Sequence, residues 1–342
     1  MPDNEQIAGY LSPPGGAPAR PEAASPMLGG QAVIEGVMMR APGVVATAVR
    51  RPDGTIVVRR ERHRPLTARW PVLKAPVLRG AVGLVDMLAV GIRTLNFSAS
   101  VAQEDPAAGG RRPAGGGQGW RDGVTVAVSL ALAVALFFAL PLAVATLLVD
   151  AEQQALPFNL AAGAVRVLLL VGYLALISRS REIRRVFEYH GAEHKAVAAA
   201  ESGGTLTVDA AARQSRFHPR CGTSFLLVVM VSAILFFSLL DALLIALAGE
   251  LTLVMRLATH LPLIPLVAGV SYEVIRFSAR HAASLPGRMA VAPGLWLQRL
   301  TTREPDSAQL EVAVAALRHA LGTEGEADAG TAPVLLMEHA AA

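Results

Sequence analysis

The chain has one cysteine, Cys221, in 342 residues, so no internal disulfide can brace it. This scarcity suits a reducing compartment or a membrane, and it leaves Cys221 as a free thiol or a ligand. Charge is also scarce: Asp, Glu, Lys and Arg make up 17% of the chain, against 53% hydrophobic types. A water-soluble domain of this length carries more charge, so the composition points to lipid. No phosphate-cradling loop of the Walker type occurs. The opening Met-Pro-Asp-Asn-Glu lacks a basic stretch followed by an apolar core, so a cleaved signal peptide is not expected.

What is present falls into blocks. Residues 1–27, rich in Pro, Gly and Ala without periodicity, read as disordered. Residues 28–74 read as a small β-rich module. In it, β-branched runs at 44–49 and 55–58 flank the turn signal Arg51-Pro52-Asp53-Gly54, with Ala32-Val33-Ile34 as a third strand. Residues 75–103 read as an amphipathic interfacial helix, with Leu78, Val82, Val85, Leu88, Ile92 and Leu95 along one face. A Gly-rich linker, 104–122, leads into a transmembrane core, 123–278. Segments 124–149, 160–177, 224–248 and 261–277 have the length and apolarity of spans, the last shortened by Pro262 and Pro265. Arg166 and Asp241 interrupt these runs and are expected to pair. The tail, 279–321, carries a helix from Ser307 to Leu321 capped by Asp306 or Ser307, and 322–342 reads as disordered. The fold class is therefore a mainly α membrane protein of about four spans, with a small cytoplasmic β-hairpin module and cytoplasmic helices.

Basic residues set the expected orientation. Segment 150–159 has no Lys or Arg, and the connection after the third span holds only Arg256. The loop 179–222, by contrast, carries Arg179, Arg181, Arg184, Arg185, Lys195, Arg213, Arg216 and Arg220. The positive-inside rule places this loop and both termini in the cytoplasm. Because these charges follow topology rather than one soluble face, no nucleic-acid partner is expected; the lipid bilayer is.

The stretch richest in chemistry is Glu188-Tyr189-His190-Gly191-Ala192-Glu193-His194-Lys195. Residues four apart are neighbours on a helix, so His190 and His194 can offer nitrogens to one metal ion. Glu193 lies beside them, placed to take a proton from water as a general base, and His-x-x-Glu-His is the inverted zinc motif. Glu201 shares the face but lies roughly 16 Å along the axis from His190, too far for the same ion. His218 and Cys221, just before the third span, have the close spacing of zinc donors. Four ligands would make a closed structural site; three would leave a position open for water. Histidines at a membrane surface also serve simply as hydrogen-bonding groups.

Neighbouring residues extend the candidate site. Gly222-Thr223-Ser224 opens a helix whose free amides favour an anion, with Arg216 and Arg220 nearby. An anionic or phosphate-bearing substrate would fit Arg216, Arg220 and Thr223. The competing reading is that these arginines enforce topology and touch anionic lipid. Glu273 in Ser271-Tyr272-Glu273-Val274-Ile275-Arg276 is a further candidate, or else an i, i+3 partner of Arg276. Glu35, between glycines in an apolar strand, either pairs with an arginine or reaches the site.

Four motifs together carry a family resemblance: Gly-Gly-Gln-Ala-Val-Ile-Glu-Gly-Val-Met-Met-Arg, Tyr-His-Gly-Ala-Glu-His-Lys, His-Pro-Arg-Cys-Gly-Thr-Ser-Phe and Ser-Tyr-Glu-Val-Ile-Arg-Phe. Over about residues 29–317, the linker excepted, the chain resembles the YqhQ family of bacterial membrane proteins. The resemblance implies a polytopic protein of the bacterial cytoplasmic membrane, a predicted metal-dependent enzyme without a settled substrate. His190, Glu193, His194, His218 and Cys221 all stand where the family has them. The expectations are then a zinc-dependent hydrolase at the cytoplasmic membrane face, or a non-enzymatic scaffold locked by a structural metal or polar network. A transporter has less support, since no inverted repeat is evident.

Overall fold

The computed structural model describes residues 28–104, 118–149, 154–280, 284–323 and 333–339, together with Asp3, Gln6 and Ile7. Most of the amino-terminal extension that reads as disordered, and most of the Gly-rich linker, lie outside these residues.

The first described block is a sheet. Strands β1 (Gly29–Val33), β2 (Gly36–Ala41), β3 (Val44–Arg50) and β4 (Ile56–Arg62) form an antiparallel meander. The β3–β4 turn is the expected one: the Asp53 carboxylate accepts from Thr55 N–H at 2.9 Å, and Gly54 takes φ +88. β2 was not foreseen, because Gly36-Val37-Met38-Met39-Arg40-Ala41 has no polar alternation. The reason is that the sheet is covered on both sides. Val37, Met39 and Val58 belong to one core, while Met38, Val49 and Val57 belong to cores on the opposite face. A doubly covered strand shows an unbroken apolar run.

A fifth strand, β5 (Val334–His339), pairs in parallel with β4, from Ile56↔Val334 to Glu61↔His339. It lies in the segment 322–342 that had been expected to be disordered. Its Val-Leu-Leu-Met run covers backbone groups that β4 would otherwise leave as an open edge. The other end of the chain also contains contacts that the composition hid. Asp3 pairs with Arg216 at 2.7 Å, and Ile7 packs with Phe217 and Leu295.

After α1 (Leu66–Arg69) and a 3₁₀ turn (Pro71–Lys74) comes α2 (Leu78–Ala102). Its Gly91, Thr94, Ser98 and Val101 are buried, while Leu78, Val85, Leu88 and Leu95 are exposed. The polar, small-residue stripe therefore faces the protein. On the sheet's other face lie α6 (Arg181–Glu201), α7 (Val208–Ala212) and α11 (Ser307–Leu321), sharing one core with β2, β3 and β4. α11 starts at Asp306 in a capping box with Gln309 and ends at Gly322 in the left-handed region.

Among the described residues four helices are long and apolar enough to cross a membrane: Gly123–Leu148, Ala155–Ile177, Phe225–Ala248 and Leu253–Phe277. The first comprises α3 (Gln118–Val134), a π-turn (Ala135–Ala139) and α4 (Leu140–Leu148); the others lie in α5 (Ala155–Ile177), α8 (Gly222–Ala248) and α9 (Leu253–Arg280). Pro141 has no N–H for the carbonyl four residues back, Phe137. Arg166 Nε donates there instead, at 2.9 Å, and its guanidinium lies over the Phe138 ring. The expected Arg166–Asp241 pair is thus not formed.

Asp241 instead accepts from Arg256, from His260 Nε2 at 2.7 Å and from Asn159 Nδ2 at 2.7 Å, all buried between α5, α8 and α9. This cluster explains why α9 is longer than expected. It begins at Leu253 and continues through Pro262 and Pro265, with Arg256 and His260 buried against Asp241 rather than exposed to lipid. Asp241→Ala would remove the carboxylate that bonds both Arg256 and His260 between the spans. The expected cost is about 3–5 kcal/mol, read as a lower Tm in detergent; an unchanged Tm refutes this role.

Candidate metal centre

The centre is built on α6. Ser180 caps this helix by accepting from Ile183 N–H at 3.1 Å, and the helix runs without a break through the His-Gly-Ala-Glu-His motif. His190 and His194 are one turn apart, with ring centroids 4.5 Å apart. Each ring is fixed from behind. His190 Nδ1 lies 2.7 Å from the Thr301 carbonyl, and His194 Nδ1 lies 2.6 Å from the Arg216 carbonyl. A carbonyl oxygen only accepts, so each Nδ1 carries a proton and, in the neutral ring, Nε2 is the nitrogen with the lone pair. Metal-ligating histidines are held in this way.

The two Nε2 atoms converge on Cys221. Its sulfur lies 3.3 Å from His190 Nε2, and the three donor atoms are all within 4.8 Å of one another. Zinc bonds of about 2.0–2.3 Å fit such a triangle. His194 Nε2 is buried without a hydrogen-bond partner, a cost that a metal would remove. Burial also lowers the His194 pKa, which favours the neutral ring that a metal needs. Cys221 is the N-cap of the 27-residue helix α8, so its sulfur faces the positive end of the helix dipole.

His218 stands beside this triangle rather than in it. Its Nδ1 accepts from Arg220 N–H at 3.3 Å and its Nε2 faces Glu201 at 3.5 Å. With both nitrogens engaged, it is a neighbour of the donor set, its ring 5.6 Å from that of His194. Of the four candidate ligands, His190, His194 and Cys221 bring their donor atoms together and His218 flanks them.

Glu193 lines the same open pocket of about 360 Å³, with Oε2 4.0 Å from His190 Nε2. Burial raises its carboxyl pKa above the ordinary value, opposed by the nearby His190, His218 and Gly30 backbone. Gly30 was not singled out from sequence as a site residue. It belongs to β1, which with Leu28 walls one side of the pocket; Thr223 and Arg220 line another. Arg220 is paired with Glu201 at this wall.

The other candidates are committed elsewhere. Arg216 is buried, bonding Thr302 O and Oγ1 at 2.7 Å each, and does not line the pocket. Its side chain holds structure together rather than holding a substrate. Glu35 accepts from Arg185 Nη2 at 2.6 Å and Tyr189 OH at 3.3 Å, tying the β1–β2 turn to α6. Glu273 accepts from Arg79 Nε at 2.7 Å, which joins α9 to α2. That bond satisfies the carboxylate through a residue outside the motif, and Glu273 does not line the pocket.

Helix α10 (Leu285–Thr301) was not read from sequence as a separate element, since Pro286, Gly287, Pro293 and Gly294 break its pattern. It is nonetheless what delivers the Thr301 carbonyl, and its Gln298 brackets the His218 backbone with two bonds of 2.9 Å. The strap after it passes so close to α6 that a Cβ at Gly191 would overlap the Arg303 carbonyl oxygen.

The same reasoning separates two adjacent glycines. A Cβ at Gly30 would lie 2.7 Å from Glu193 Cγ and 2.7 Å from the Met38 carbonyl oxygen, whereas one at Gly29 meets nothing within 4 Å. Gly30→Ala is expected to cost about 1–3 kcal/mol by overpacking, and Gly29→Ala less than about 0.5 kcal/mol. Paired thermal melts check this, and equal Tm values for the two would refute it.

A family model described as "Protein of unknown function (DUF1385)" matches residues 75–323. The chain is also 33% identical, over 319 residues, to a Bacillus subtilis (strain 168) protein described as "Uncharacterized protein YqhQ", covering 90% of this chain and 96% of that one. No solved structure matches it. The matched region spans the donor triangle and its flanking Glu193, and on these matches the chain belongs to the DUF1385 family of proteins of unknown function.

Proposed function

We propose that this protein is a zinc-dependent hydrolase of the bacterial cytoplasmic membrane. The observation that supports it best is the convergence of two imidazole Nε2 atoms, each oriented by a backbone carbonyl, on the Cys221 sulfur beside a buried carboxylate. Three protein donors beside an open pocket would leave a bound zinc a position for water, as catalytic rather than structural zinc requires. Zinc held by His190, His194 and Cys221 would supply Lewis acidity to an electrophilic oxygen and to water.

The rest of the chemistry belongs to the chain. Glu193, its carboxyl raised by burial, takes a proton from the attacking water and returns it to the leaving group. Gly30, with no side chain, lets β1 lie directly against that carboxylate. Arg220, Thr223 and the amino end of α8 favour an anionic or phosphate-bearing substrate. The Arg-rich loop that carries α6, set against connections nearly free of Lys and Arg, supports a cytoplasmic site and cytoplasmic termini.

A second reading rests on a different observation. His190 and His194 bond backbone carbonyls of two separate segments, so the cluster also knits α6 to α10 and to the loop before α8. A scaffold with a structural metal would use the same contacts. Elemental analysis of the detergent-purified chain is expected to find about one zinc in the wild type and in Glu193→Gln, and less than about a tenth of that in His194→Ala. Zinc retained in His194→Ala ends the metal reading. A folded Glu193→Gln protein that fully replaces the wild type in the cell would leave the scaffold.

A further inference from the structure

The exposed apolar surface of the sheet module is unusual for its shape. Along α2, Leu78, Val85, Leu88 and Leu95 are bare, with Val85 59% and Leu88 57% exposed. The opposite stripe, Gly91, Thr94 and Ser98, is buried. A helix packed on a soluble domain presents these stripes the other way round. The segment before it continues the surface: Trp70 is 60% and Val72 74% exposed, with Arg69 and Lys74 also exposed beside them.

This surface is fixed to the spans. Glu273 near the end of α9 bonds Arg79 and the backbone N–H of Val77. Gly269 of α9 lies so close that a Cβ there would collide with the Val77 carbonyl oxygen, and a Cβ at Gly80 would lie 2.7 Å from Tyr272 Cβ. Val77 itself is held at φ 69, a conformation that a β-branched residue adopts only under surrounding constraint. On α9 the neighbouring Tyr272, Val274 and Phe277 are exposed in turn, and they belong to a span.

We propose that residues 66–95 form a membrane-seated wedge, with Trp70, Val72 and the leucine stripe of α2 buried in the interfacial layer of a bilayer carrying anionic headgroups. The occupant follows from two features of the wedge. Its apolar face is continuous with the lipid-facing surface of α9. Its Trp and its flanking Arg69 and Lys74 are the residue types that anchor at headgroup level. Along α2 the backbone groups are satisfied within the helix, so burying its leucine stripe leaves none of them unpaired. The wedge holds one face of the sheet toward the bilayer while the other carries α6, so the pocket walled by β1 is presented beside the membrane. This placement does not depend on whether a metal binds.

Tryptophan fluorescence of the full chain in liposomes containing anionic phospholipid tests the proposal. Replacing Trp120→Phe and Trp296→Phe leaves native Trp70; a second variant adds Trp70→Phe and Leu88→Trp. Both fluorophores should emit at shorter wavelength than a water-exposed indole. Both should be quenched by phospholipid spin-labelled near the ester region and protected from acrylamide. Quenching by acrylamide without quenching by lipid overturns the proposal. Protection from both quenchers also overturns it, by showing that a second copy or another protein covers the face.

Discussion

Two imidazole-to-carbonyl hydrogen bonds carry the site. Helical spacing puts His190 and His194 on one stripe, but a histidine on a stripe is free to rotate about its side-chain torsions. The Thr301 and Arg216 carbonyls remove that freedom and fix the tautomer, leaving both Nε2 atoms facing Cys221. The two carbonyls are themselves linked, since the Arg216 guanidinium bonds Thr302, the residue after Thr301. One buried arginine thereby positions both ends of the donor set. Gly191 makes this possible by letting the 301–305 strap lie directly on α6.

A second constraint comes from lipid. An ionisable group among apolar spans must be neutralised within the protein, and two such groups solve this in different ways. Arg166 takes the carbonyl that Pro141 leaves without a helical donor. Asp241 gathers Arg256, His260 and Asn159 into one cluster, with Phe158 over the guanidinium and Phe237 stacked on the imidazole. The spans are joined by polar contacts at this end, while α8 begins at Cys221 and α9 ends near Glu273 at the other. The His190–His194–Cys221 cluster and the Arg79–Glu273 clamp therefore belong to the end of the bundle that meets the sheet module.

Legibility differed sharply between kinds of feature. The apolar runs, the Asp53-Gly54 turn and the Asp306 cap were readable because each is a local pattern with a local cause. β2 was missed since a strand covered on both faces shows no alternation, and β5 since its partner is nearly three hundred residues away (Ile56 with Val334). α10 was missed because its glycines and prolines lower local helix propensity while packing against α8 compensates. In the site, the donors His190, His194 and Cys221 and the flanking Glu193 were all candidates from spacing. Gly30 left no signal of its role, because a glycine chosen for closeness to Glu193 looks like any other glycine in a strand.

The sequence by itself determined that the chain is mainly helical, lies in a membrane, and carries two imidazoles and a carboxylate on one helix. Those properties depend on residues near one another in the chain, through hydropathy and the helical repeat. Only the tertiary structure decided that Cys221 joins the two imidazoles while His218 turns to Glu201, and that Arg216 serves as a clamp. It alone decided that Asp241 pairs with Arg256 rather than with Arg166. Such choices are made among several chemically equivalent partners, and what selects one is which side chains the packing brings within hydrogen-bond reach.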